Sequence, residues 1–159
     1  MIGLGGNTAG TLDAFAWVRG RLTILLEGAR FSSLYRTIPQ DDADQDDFWN
    51  AAVAGQWEGT AAGLLERLLM MEAAAGRVRD AMRPKGPRVL DIDLLVFGEQ
   101  VVDTPRLAVP HPRLAVRRFA LAPLVELLPD AVDSRTGRKW AVELAGLDAQ
   151  GVDRTDQTW

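Results

Sequence analysis

From Val89 onward the chain alternates: Leu90, Ile92, Leu94 and Val96 fall on one side of an extended segment, Asp91 and Asp93 on the other. Side chains on a strand repeat every two residues, so this run predicts a strand over 89–97 with a core face and an acidic face. The same period predicts strands over Phe48 to Trp57 and over Arg30 to Thr37, where Phe31, Ser33 and Tyr35 are set against Ser32, Leu34 and Arg36. Met1 to Leu4 predicts a short strand that enters a Gly5-Gly6-Asn7 turn. Two segments carry the longer, helical period. Leu12, Phe15, Val18, Leu22, Leu25 and Leu26 recur behind Thr11, a candidate N-cap, and Gly28 is expected to close that helix. Ala61 to Ala75 predicts a second, with Leu64, Leu65, Leu68, Leu69 and Met71 as its apolar stripe.

Past the 89–97 strand, a Gly98-Glu99 turn leads to a short Val101-Val102 strand expected to pair back as a hairpin. Val109-Pro110-His111-Pro112 is a rigid extended segment. A last helix is predicted over Leu121 to Leu128, stopping at Pro129, and the remainder through Trp140 and Leu144 to Trp159 predicts a loose tail. The order β-α-β-β-α-β belongs to an α+β domain whose antiparallel sheet carries two helices on one face and leaves the other open for a ligand.

With 159 residues, 47% hydrophobic and 25% charged, the chain fits one domain, residues 1–159, long enough to bury a core. It has no cysteine, which excludes a disulfide framework, a thiolate nucleophile and Cys-ligated zinc, and its single histidine excludes a His-rich metal site. No stretch reaches the length of a membrane span, and a cytoplasmic enzyme or binding protein is expected. The net charge of −4 argues against broad nucleic-acid binding.

Against that acidic background Arg77, Arg79, Arg83, Lys85 and Arg88 crowd the approach to Asp91 and Asp93. Two carboxylates roughly 7 Å apart on one strand face repel each other unless a cation lies between them. Mg²⁺ is the natural candidate, since it takes one or two carboxylates together with phosphate oxygens, and the arginines suit the remaining phosphate charge. The bland alternative is a solvated loop beside an exposed edge with weak ion pairs. Phe48 and Asn50, two apart on one strand, would project together and suit a flat heterocycle, although a core role for Phe48 stays open. Asp42, Asp44 and Asp46 have calcium-loop spacing, but Asp47 stands where glycine is needed and Val53 where glutamate is needed. A solvated loop over Ile38 to Asp47 is expected instead.

The strings Gly5-Gly6-Asn7, Tyr35-Arg36-Thr37-Ile38-Pro39, Phe48-Trp49-Asn50-Ala51-Ala52-Val53, Glu72 with Gly76-Arg77-Val78-Arg79, Gly86-Pro87-Arg88-Val89-Leu90-Asp91-Ile92-Asp93 and Val109-Pro110-His111-Pro112-Arg113 span nearly the whole chain. Together they resemble the 6-hydroxymethyl-7,8-dihydropterin pyrophosphokinase family of the folate pathway. That resemblance implies a ferredoxin-like sheet with two helices on one face, plus a C-terminal helix and extensions. It also implies ATP- and Mg²⁺-dependent transfer of a pyrophosphoryl group to the pterin hydroxymethyl, with release of AMP. Two Mg²⁺ ions are implied at Asp91 and Asp93, with Arg77 and Arg88 as catalytic cations. The pterin is assigned to Phe48 and Phe119, with Asn50, Thr37, Ile38, Pro39 and Gln40 around its polar edge. ATP is assigned to Glu72, Arg79, Arg83, Arg88, Leu94, Arg106, His111 and Arg117. A monomer that binds neither nucleic acid nor membrane is expected. The chain departs from the family pattern at Gly6, where a serine is usual, and at Ile38-Pro39, where a Pro-Pro pair is usual. A nucleotide sensor without chemistry and an RNA-binding domain are the competing readings on such an architecture.

Overall fold

The computed structural model describes residues 1–39, 45–76 and 86–159. Gln40, the acidic residues Asp41, Asp42 and Asp44, and the cations Arg77, Arg79, Arg83 and Lys85 lie outside the described residues.

Among the described residues six strands form one antiparallel sheet in the order β5-β1-β4-β3-β8, with β2 also on β4. These are β1 (Ile2–Gly6), β2 (Glu27–Phe31), β3 (Tyr35–Thr37), β4 (Phe48–Gln56), β5 (Asp91–Leu94) and β8 (Val152–Arg154). Helices α1 (Thr11–Leu25) and α2 (Ala61–Ala74) follow β1 and β4. The alternation dictates where they go. Ile2 and Leu4, Ala51 and Val53, and Ile92 and Leu94 turn to one face and meet Phe15, Val18 and Leu22 of α1 and Leu64 and Leu68 of α2. Each of the valine, leucine, isoleucine and phenylalanine side chains among them contributes about 1.5–3 kcal/mol by leaving water. The α+β sheet with two helices on one face is as the pattern predicts.

The opposite face is covered only in part, since Gly5, Asn50, Asp91 and Asp93 on it line a cavity. Leu95, Val96 and Leu114 pack there with Leu121 and Leu124 of α3 (Arg118–Leu127) and with Trp140 at the start of α4 (Trp140–Ala145). The tail expected to be loose is therefore built in. Strand β8 pairs with β3, and Trp159 packs edge-on against Phe15 and Phe31 with ring centroids 5.6 and 5.4 Å apart. Its indole N–H donates to the Ser32 carbonyl at 3.0 Å. These partners are distant in sequence, so no local period announced them.

Several boundaries move for local reasons. Gly5 and Gly6 belong to β1 rather than to a turn; a Cβ on Gly6 would lie 2.5 Å from the Val89 carbonyl oxygen and 2.7 Å from Thr11, so a side chain there would require the backbone at Val89 to move. Thr11 is the first helical residue, not the cap, and its Oγ1 accepts the Thr8 N–H at 3.0 Å. Gly28, at φ +61, serves a register shift inside β2 instead of closing α1, which ends at Leu25. The strand expected over 30–37 is split at Ser32 to Leu34, because side chains, the Ser32 hydroxyl and the Glu126 carboxylate, take over backbone partners there. The Ser32 hydroxyl accepts the Ala52 N–H at 2.8 Å, and the Ser33 N–H donates to Glu126 at 2.9 Å.

The 89–97 run is a strand only over β5. The Leu95 and Val96 N–H groups both donate to the Met1 carbonyl, at 3.0 and 3.3 Å, which ends the alternation and sends both residues to the second core. The Val101-Val102 segment does not fold back on β5. Instead β6 (Val102–Asp103) pairs with β7 (Ala108–Val109) as a separate ribbon. Helix α3 starts three residues before the expected Leu121 and runs through a buried Pro123.

Candidate active site

The face of the sheet away from α1 and α2 carries the chemistry. Ile92 and Leu94 are buried while Asp91 and Asp93 stand on the other side of β5. In register, Asp91 lies beside Gly5 and Asp93 beside Gly3 on β1, and Gly5 in turn lies beside Asn50 on β4. Gly5 leaves a trough between Asp91 and the carboxamide, while the Leu95 side chain packs over Gly3. A Cβ on Gly5 would stand 3.3 Å from the Asn50 Oδ1. Asn50 is held by its other end, its Nδ2 donating to the Thr37 Oγ1 at 2.7 Å in a buried pair, and Thr37 sits opposite Phe48 in the β3–β4 ladder.

Arg88 stands between the two ends of this floor. Its Nε is 3.0 Å from the Asp91 Oδ2 and its guanidinium lies 5.2 Å from the Phe48 ring centroid. The Nε–H does not point along the short separation, so the contact is an ion pair without hydrogen-bond alignment. Asn7 fixes the backbone beneath it. The Asn7 Oδ1 accepts the Arg88 N–H at 2.9 Å, the Asn7 N–H donates to the Arg88 carbonyl at 2.9 Å, and the Asn7 Nδ2 reaches the Gln45 Oε1 at 3.0 Å.

Glu72 is 3% exposed, and its Oε1 accepts the Ile92 N–H at 2.6 Å, which satisfies the outward amide of an edge strand. On the facing wall Arg117 lies 5.6 Å from the Phe119 ring centroid. His111 follows a cis Val109-Pro110 peptide, and its N–H donates to the Leu95 carbonyl at 2.7 Å. Burial, then the nearby Arg117 and Arg113, lower its pKa to about 4, with Asp91 acting the other way and Arg135 adding slightly. The imidazole is therefore neutral near pH 7. Its Nδ1 accepts the Arg113 N–H at 3.2 Å, which leaves the ring proton on Nε2 as a donor.

These groups line one cavity of about 530 Å³. Every residue expected at the site and lying within the described stretches is on its wall. The carboxylates Asp91 and Asp93, with Arg88, Glu72, Leu94, Arg106, His111 and Arg117, share it with Thr37, Ile38, Pro39, Phe48, Asn50 and Phe119. Gln40, Arg77, Arg79 and Arg83 lie outside the described residues. The cavity also takes Gly3, Gly5, Gln45 and Arg113, to which sequence reasoning gave no site role. The period of two in Gly3 and Gly5, matched to the period of the aspartates, was the signal available for the floor. Asn7 was marked only by the Gly5-Gly6-Asn7 string, which does not disclose its role, since its partners Gln45 and Arg88 come from two distant segments.

Among the described residues no cluster of three or more His, Asp or Glu side chains forms a complete metal cage. A pair of carboxylates in a cleft ringed by cations fits Mg²⁺, whose remaining ligands come from water and phosphate oxygens.

An antiparallel α+β sheet with a carboxylate pair, converging arginines and an aromatic and carboxamide slot defines a small phosphotransfer enzyme. The chain matches the family described as 7,8-dihydro-6-hydroxymethylpterin-pyrophosphokinase (HPPK) over residues 1–129, and it belongs to that family. It is 43% identical over 160 residues to a 2-amino-4-hydroxy-6-hydroxymethyldihydropteridine pyrophosphokinase of Methylorubrum extorquens, covering 98% of this chain and 97% of that one. It is 36% identical over 154 residues to a protein of the same name from Synechocystis, covering 96% of this chain and 77% of that one. A third, from Pseudomonas aeruginosa, is 42% identical over 123 residues, covering 77% of this chain and 74% of its own.

Proposed function

We propose that this chain transfers the β,γ-pyrophosphoryl group of ATP to the hydroxymethyl oxygen of 6-hydroxymethyl-7,8-dihydropterin, with AMP as the second product, as a step of folate synthesis. The observation that carries this reading is a single cavity lined both by Asp91 and Asp93 and by Phe48, Asn50 and Phe119. One end suits a metal-bound polyphosphate, the other a flat polar heterocycle.

In this reaction the hydroxymethyl oxygen forms a bond to the β-phosphorus, the bond from that phosphorus to the α,β-bridging oxygen breaks, and AMP departs with the electron pair. The hydroxyl proton passes to water as the new bond forms. The chain's own residues supply position and charge. Phe48 and Phe119 hold the faces of the ring. Asn50, oriented by Thr37, reads its polar edge, with Ile38, Pro39 and Gln40 alongside. Arg88 and Arg77 answer the charge on the transferred group, and Arg79, Arg83, Arg106 and Arg117 the rest of the triphosphate. Neutral His111 offers a hydrogen bond without adding a full charge, while Glu72 and Leu94 shape the nucleotide wall. Two Mg²⁺ ions, held by Asp91 and Asp93 together with phosphate oxygens, would neutralise charge as Lewis acids.

The direct test is incubation of the protein with ATP, Mg²⁺ and 6-hydroxymethyl-7,8-dihydropterin, with the nucleotides separated afterwards. AMP is expected in step with pterin diphosphate. ADP as the nucleotide product would overturn pyrophosphoryl transfer.

A further inference from the structure

Two walls of the cavity, one carrying Arg117 and Phe119 and the other Ile38, are joined by two consecutive residues that do not line it. The Gln150 Oε1 accepts the Arg118 N–H at 3.0 Å, a donor in the first turn of α3 that has no intrahelical partner. The next carbonyl along, that of Gly151, accepts the Ile38 N–H at 3.2 Å. From there Val152 continues as β8, opposite Thr37. Gln150 and Gly151 therefore touch both the peptide between Arg117 and Phe119 and the segment that follows Thr37.

Their backbone is specialised for this. Both residues are left-handed, with φ +51 at Gln150 and +58 at Gly151. A non-glycine residue keeps such a conformation where its surroundings demand it. At Gly151 a Cβ would lie 2.7 Å from the Ile38 side chain. Arg118 is secured from a second direction, its Nη1 donating to the Leu144 and Leu147 carbonyls at 3.3 and 3.2 Å. The family match ends at residue 129, so this brace lies beyond it.

We infer that Gln150 is a positioning residue for the heterocyclic substrate: through the Arg118 amide and the adjoining Gly151 carbonyl it sets the separation of Phe119 from the Ile38 wall. This inference rests on the proposed function for the identity of the ligand. Gln150→Gly removes the side-chain acceptor while relieving the positive φ, so the fold is not weakened by strain. Gln150→Glu keeps the acceptor.

Three readouts test it: AMP formation with the pterin varied, equilibrium titration of the pterin followed by its fluorescence, and urea unfolding. In Gln150→Gly the KM and Kd for the pterin should rise about fivefold, the factor by which the binding-competent spacing of the two walls becomes less populated, with kcat near wild type and the urea midpoint lowered only slightly, since the contacts of Gln150 with Arg118 and Val116 are made without ligand. Gln150→Glu should restore both constants. Unchanged pterin constants in Gln150→Gly would overturn the inference, as would a parallel loss of kcat and stability, which marks a merely structural role. A wild-type protein that binds the pterin but makes no AMP would defeat the proposed reaction, and the Kd comparison would then still decide the role of Gln150.

Discussion

Gly3 and Gly5 stand beside Asp93 and Asp91 in the β1–β5 ladder; the Leu95 side chain packs over Gly3, and the space the missing side chain of Gly5 leaves between Asp91 and Asn50 is what allows carboxylate, guanidinium and carboxamide to share one floor. Within that floor Asp93 is the residue whose loss should be cleanest. Asp93→Ala should lower kcat on the order of a hundredfold with an unchanged urea midpoint, because the aspartate lies on the cavity face, away from the core. Wild-type turnover in that variant would remove the metal role. His111 makes a pH prediction. Its pKa is about 4 when folded against 6.5 ordinarily, so between these values the unfolded chain binds a proton that the folded chain does not. Its contribution to stability is complete above pH 6.5 and is lost as the pH falls toward 4. The drop in urea midpoint from pH 7 to pH 5 should shrink in His111→Gln, and an equal drop in both proteins would contradict the assignment. The aspartate pair was legible from the alternation alone. The state of His111 was not, because Arg113, Arg117 and Asp91 act on it together only in the folded chain.

The elements were legible where their period is local and obscured where side chains replace backbone partners. Helix α2 matched its pattern almost to the residue, and Thr60 caps it with its Oγ1 accepting the Gly63 N–H at 3.1 Å. Thr60→Ala should cost about 1 kcal/mol in urea unfolding and leave the KM values alone, since Thr60 is exposed and off the cavity. A changed pterin KM would show that α2 reports to the site through its start. By contrast the break between β2 and β3 comes from Ser32, Ser33 and Glu126. Burial pushes the Glu126 carboxyl up, but the Ser33 amide, the Tyr35 and Ser33 hydroxyls and Arg154 outweigh it and hold it below the usual carboxylate range. Glu126 thereby ties α3 to β3, a link that no period along either element contains. Its stabilising effect is present above pH 4.5 and lost as the pH falls through its lowered folded value, so it does not disturb the His111 test.

At the scale of the molecule the cavity has a second wall because residues between Arg106 and Ala120 lie over a sheet face that would otherwise be open, and the last thirty residues run on from there, through Trp140 and β8, back to the sheet. Trp159, wedged between Phe15 and Phe31 beneath Arg19, closes that wrap on the helix side. Trp159→Ala should lower stability by about 2–3 kcal/mol while sparing kcat at saturating substrate. A full loss of turnover with intact folding would mean that the wrap also serves catalysis. Alone, the amino-acid sequence determined the alternating faces, the two long helices, the carboxylate pair on one side of β5 and the family motifs, because each of these is written in neighbours a few positions apart. Only the tertiary structure decided that Gly5 hollows the floor while Leu95 covers Gly3, that Asn7 braces Arg88, and that Gln150 and Gly151 join two walls of the cavity. Those are contacts between segments far apart in the chain, where packing and hydrogen-bond geometry select partners and no local period exists to be read.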